Sequence, residues 1–145
     1  MRTWECRLYP EPGSSRLFVR AVVFDQRKDL LRFWHLCDGK PMQARARCQE
    51  VDQFYPSKNG GRPHKTGLVA CVSFWRGEMG AEIVAHELQH AAFAWARRRR
   101  LNVGSIDDGG AGVVHRDHPE ERIAEALGQI TSQFMARATA SGLYK

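Results

Sequence analysis

The sequence predicts an α+β fold in one domain: a small, mainly antiparallel sheet from the N-terminal half, packed against two long helices from the C-terminal half. Three observations predict it. Segments rich in Val and Phe recur up to Trp75, bounded by Gly, Pro and Asp clusters, which is the pattern of short strands joined by turns. Two later segments, from Glu78 to Arg100 and from Asp117 onward, carry apolar residues at helical spacing. The chain has 145 residues with no internal repeat and no linker-like break, a size that one core can serve.

The strands are taken in order. Residues 3–9 alternate loosely and form a first strand, ended by the turn Pro10-Glu11-Pro12-Gly13-Ser14. Arg16–Asp25 (RLFVRAVVFD) is the strongest early strand, rich in Val and Phe. Leu30–Leu36 (LLRFWHL) reads as the next strand of a hairpin, with a short helix as the alternative. Gln43–Phe54 alternates in part and reads as a further strand. Pro56–Gly67 is polar and glycine-rich and reads as a loop, with His64 solvated in it. Leu68–Trp75 (LVACVSFW) is a strong strand just before the first long helix, and is expected to be the edge strand bordering a cleft.

The helices follow. Glu78 and Glu82 stand near the positive end of the first and Arg97-Arg98-Arg99-Arg100 at its negative end, each favourable to the helix dipole. Leu101–Asp117, with four glycines, reads as a long loop. Asp117 is placed to cap the last helix, with Pro119 in its first turn and Ile123, Leu127, Ile130 and Phe134 as its apolar stripe. The tail Ser141–Lys145 is expected to fray.

Composition excludes several classes. Hydrophobic residues make up 43% and charged residues 26%, as in globular domains. No apolar run approaches the ~18 residues of a membrane span, and Met1–Arg7 has no apolar signal core. A cytoplasmic location is therefore expected. The four cysteines, at 6, 37, 48 and 71, form no C-x-x-C pair and read as free thiols. The net charge of +6 is partly the arginine run, whose ordinary role is a solvated helix end and whose functional role would be contact with nucleic acid or an acidic partner.

The chemistry concentrates in His86-Glu87-Leu88-Gln89-His90. Residues four apart stack on one helix face, so both imidazoles can reach one ion. Neutral imidazoles suit zinc, and a carboxylate beside the ion can take a proton from water. Val84, Leu88, Ala91 and Trp95 cluster on a separate apolar face, which leaves His86, Glu87 and His90 free to line a cleft. A hydrolytic zinc site usually has three protein ligands. The continuation H-x-x-G-x-x-H that would supply one nearby fails, because Phe93 and Ala96 occupy those positions. The third ligand then comes from elsewhere, with Glu121 on the last helix and the loop histidines His115 and His118 as candidates.

The stretch Glu120-Glu121-Arg122-Ile123-Ala124-Glu125 resembles the second, glutamate-bearing helix of gluzincins. Together with the H-E-x-x-H helix, residues 68–135 look like a minimal zincin, similar to the compact metallopeptidases of bacteria and their phages, including the ImmA/IrrE-like group. The resemblance implies Zn2+ held by His86, His90 and Glu121. It implies Glu87 as the general base and Glu125 as the group orienting a zinc histidine. His115 and His118 are left as candidate oxyanion donors, with Tyr144 beside them. The function expected is zinc-dependent hydrolysis of a peptide or protein substrate. The alternative is a zinc-stabilised, non-catalytic regulatory protein that contacts nucleic acid through its basic surface.

Overall fold

The structure, a computed structural model, describes residues 3–38, 45–52, 54–55, 64–101 and 118–144. Their order is β1 (Thr3–Leu8), β2 (Phe18–Phe24), α1 (Arg27–Asp38), β3 (Arg47–Glu50), β4 (Phe54–Tyr55), β5 (His64–Lys65), β6 (Leu68–Trp75), a 3-10 turn (Arg76–Glu78), α2 (Ala81–Arg98) and α3 (Pro119–Ala140). The α+β class holds. Four strands form one sheet in the order β1-β2-β6-β3, and β4 and β5 pair apart from it. The outer pairs, β1 with β2 and β3 with β6, are antiparallel, but the central pair, β2 with β6, is parallel.

The parallel pair follows from a helix that the sequence reading placed as a strand. Residues 27–38 form α1, not a hairpin partner of β2. Leu30 and Trp34, four apart, fall on one helical face, and both are buried against Val22 and Phe24 of β2. A strand would have sent these even-numbered residues and the odd-numbered Leu31 and Phe33 to opposite faces. Trp34 donates its indole N–H to the buried Ser73 hydroxyl at 2.8 Å, fixing α1 to β6. With α1 as a crossover, the chain can return to pair β6 parallel to β2.

The other sheet face carries the main core. Val19, Ala21 and Val23 of β2 and Ala70, Val72 and Phe74 of β6 point to α2 and α3. Ile123, Ala126, Ile130, Phe134 and Ala138 form the buried stripe of α3. Phe134 meets Phe74 at 5.5 Å and Trp4 edge-on at 5.9 Å between ring centroids. The Gln133 amide donates to the Tyr9 carbonyl and accepts from the Tyr9 N–H, tying α3 to the end of β1.

Other boundaries move from expectation. Within the expected strand at 43–54, Arg47–Glu50 forms β3 and Phe54 begins β4, while residues 43, 44 and 53 lie outside the described residues; the segment 56–67 contains β5, which pairs with β4. β6 is interior; the edge next to it is β3. Asp117 lies outside the described residues, and α3 is capped by His118, whose Nδ1 accepts from the Glu120 N–H at 3.2 Å. The C-terminal tail is held rather than frayed. Ser141 accepts from the Trp4 indole, the Gly142 carbonyl accepts from Arg76, and Leu143 and Tyr144 pack on the core.

Both long helices end in the same way. Gly142, at φ +75°, ends α3, with Gly142 N–H on Thr139 and Leu143 N–H on Ala138. Arg100 takes the equivalent left-handed place after α2 at φ 56°, with its N–H on Arg97 and Leu101 N–H on Ala96. Two residues earlier, Arg98 collects three backbone carbonyls, those of Val51, Thr66 and Leu68 at 2.5–3.0 Å. It thereby closes the base of the excursion between β3 and β6.

These two arginines give opposite expectations. Arg98→Ala should lower stability by about 1.5–3 kcal/mol, the range for hydrogen bonds to a charged group. Arg100→Gly should raise it by about 0.5–1 kcal/mol by removing a left-handed side-chain residue. Urea unfolding midpoints check both, and an unchanged midpoint for Arg98→Ala would show that the clamp contributes nothing.

Candidate metal centre

α2 has two working flanks. One meets α3: Leu88, Ala92, Trp95 and Ala96 are buried there, and the Arg122 guanidinium lies 5.9 Å from the Trp95 ring centre. The other meets β3: Arg97 bonds Glu50 with its Nε and Nη2 at 2.8–3.1 Å. His86, His90 and Arg97 recur at four- and seven-residue spacing, so they form one stripe along this second flank.

The two histidines converge. Their Nε2 atoms are 3.1 Å apart and their rings stand nearly perpendicular, at 83°. Without an ion, one ring N–H donates to the other ring's lone pair. The same spacing suits a shared zinc, since two nitrogens ~2.0–2.1 Å from it at a near-tetrahedral angle lie roughly 3.3 Å apart. His86 and His90 are exposed, so an ion could reach them.

Glu87 behaves differently from its neighbours. It is 8% exposed, one of two buried polar side chains in the described residues, and it makes no hydrogen bond or ion pair among them. Its oxygens are not among the fully enclosed side-chain atoms that lack a partner, so the carboxylate keeps contact with solvent. Glu87 and His90 line an open cavity of about 300 Å³ together with Ala46, Arg47, Cys48, Glu50 and Arg97. The cavity is thus a groove between the edge strand β3 and the histidine flank of α2.

Glu121 is not brought to this groove. Among the described residues no set of three or more His, Cys, Asp or Glu side chains could hold one ion. The reason is the antiparallel packing of α2 and α3. The start of α3 lies level with Trp95, as the contact with Arg122 marks. Trp95 is about 7.5 Å beyond His90 along the axis and about 13.5 Å beyond His86, and about 140–180° around it. Glu121 is exposed on that far flank, and Glu125 lines a separate cavity of about 230 Å³ with Trp95, Arg122 and Pro10–Pro12. His118 is spent on capping α3, and His115 lies outside the described residues. The Tyr144 hydroxyl is buried without a partner among the described residues, and burial pushes its pKa up.

Sequence reasoning missed the strand side of the groove. The signal was present as alternation: Ala46, Cys48 and Glu50 are two apart and share the face toward α2. The arginine run is exposed in large part, yet three of its four members bond within the fold. Arg97 pairs with Glu50, Arg98 holds three carbonyls and Arg99 pairs with Glu11, so these three are engaged in holding the fold.

All four cysteines are free thiols, as expected. Cys48 and Cys71 lie on adjacent strands but on opposite sheet faces, Cys48 toward α2 and Cys71 toward α1. Burial, reinforced by the Glu87 charge, pushes the Cys48 thiol up to about 12. Burial pushes Cys71 up to about 11. Each thiol holds its proton more tightly when folded, so stability falls as pH rises above the unfolded value of 9.0. In native protein at pH 8, iodoacetamide should label exposed Cys37 well before Cys48 or Cys71. Mass spectrometry of the peptides checks this order, and equal labelling would contradict the burial.

Comparison of the chain with protein-family models, with curated proteins and with solved structures gives no match, so the function is read from this site alone.

Proposed function

We propose that the chain is a zinc-dependent metallopeptidase of zincin type, with His86 and His90 as metal ligands and Glu87 as the general base. The observation that carries this reading is Glu87: a largely buried side chain with its carboxylate at an open groove, beside two convergent imidazoles and the strand at the edge of the described sheet. A metal site with a purely structural purpose has no use for such a group. Zinc, when bound there, is a Lewis acid that makes water a nucleophile near neutral pH. Glu87 accepts a proton from the attacking water as the peptide carbonyl is attacked, and returns it to the departing amine. β3, at the sheet edge, offers backbone N–H and C=O groups to an extended peptide, which would bind as an added strand.

The basic surface supports the alternative, nucleic-acid-binding reading less than the charge alone did, because Arg97, Arg98 and Arg99 are engaged within the fold. The third ligand is open to substitution analysis. The contact of neighbouring Arg122 with Trp95 favours a third ligand other than Glu121, in contrast to the gluzincin pattern.

Three variants test the proposal together. Glu87→Gln should retain zinc and lose peptide hydrolysis by about a hundredfold or more. It should also unfold near the wild-type midpoint, because Glu87 makes no hydrogen bond or ion pair among the described residues. His86→Ala should lose most zinc affinity in a chelator competition, whereas Glu121→Ala should stay within about twofold of wild type. Full turnover by Glu87→Gln on a peptide pool would exclude the general base. Zinc loss in Glu121→Ala equal to that in His86→Ala would restore the glutamate ligand.

A further inference from the structure

The groove has a second polar feature that hydrolysis does not use. At its far end Arg97 grips Glu50 with Nε on both carboxylate oxygens and Nη2 on one. A guanidinium has five N–H donors, so three remain without an acceptor among the described residues. Both oxygens of Glu50, by contrast, already accept. The pair is about half exposed, with side-chain accessibilities of 54% and 45%, and both residues line the cavity. Glu50 orients the fork, and Arg97 forms part of the cavity wall beside β3.

Register gives the spacing. On an added strand, side chains opposite Cys48 and Glu50 would be two residues apart and on the same face, the one toward α2. The first would enter the cavity beside Ala46 and Cys48, next to Glu87 and His90. Its wall is uncharged at Cys48, whose thiol keeps its proton. The second would meet Arg97. Glu87 is ten residues from Arg97 along α2, about 15 Å, which exceeds the ~8 Å screening length at physiological salt. The net charge of +6 draws acidic partners in the same sense.

Resting on the peptide-binding reading of this groove, we infer that Arg97, oriented by Glu50, selects an acidic side chain two residues from the neutral residue seated against Cys48. The ligand is an extended peptide with the pattern neutral-x-acidic, in one chain direction or the other. Arg97 is here a specificity residue that does not touch the reacting atoms.

The test is equilibrium binding of fluorescent peptides to full-length Glu87→Gln protein with zinc present, so that cleavage does not interfere. A neutral residue is held at the centre, and Asp, Glu, Ala or Lys is placed two residues to either side. The acidic peptide should bind about tenfold tighter than its Lys counterpart on one side, with the preference weakening as salt rises. Adding Arg97→Gln should abolish the preference. Adding Glu50→Gln should preserve or enlarge it, because the amide oxygen can still accept from Arg97 and orient it while the competing negative charge is gone; a merely structural ion pair would make both changes equivalent. No acidic preference, or one that survives Arg97→Gln, overturns the inference. Selective binding with no hydrolysis by wild type would leave the inference standing and remove the peptidase reading. Hydrolysis without acidic preference would do the reverse.

Discussion

The placement of Glu87 beside two convergent histidines, where α2 meets the sheet edge, is the constraint on which the rest of the candidate site depends. α2 is held in that place from two sides. On one, Leu88, Ala92, Trp95 and Ala96 pack against α3 and the core. On the other, Arg97 and Arg98 fasten the helix to β3 and to the carbonyls at the base of the 51–68 excursion. Alanines at 91, 92, 94 and 96, nearly all fully buried, bring the helix close to the sheet. The Glu87 side chain is held at the boundary where the sheet edge, the helix and solvent meet.

The histidine pair draws on the same scaffold. His86 and His90 are exposed, so their convergence reflects helix geometry rather than burial. A metal at that pair would add stability, since a ligand bound only by the folded chain favours it.

Much of this was legible in the sequence where local pattern and tertiary placement agree. The i, i+4 spacing of His86 and His90 sets a shared face whatever the rest of the chain does. The stripe Ile123, Ile130 and Phe134 was readable for the same reason. Residues 30–36 were not, because a short apolar run satisfies either period until Trp34 finds Ser73 across the sheet. That one segment decides whether β2 and β6 run parallel, and so which strand becomes the edge. The candidate ligand Glu121 lay beyond sequence reasoning in a different way. Its helix was correct, but the level at which α3 crosses α2 depends on contacts between distant residues, such as Trp95 with Arg122. Likewise, the arginine run looked like free charge because its partners, Glu50, Glu11 and the carbonyls near Thr66, are remote in sequence.

Metal stoichiometry is the most direct measure of the central claim. Protein purified without chelators and offered zinc should retain one ion per chain after gel filtration, read by elemental analysis. Retention of no zinc would contradict the account, leaving two exposed histidines on a helix and a buried glutamate with no chemistry to explain it.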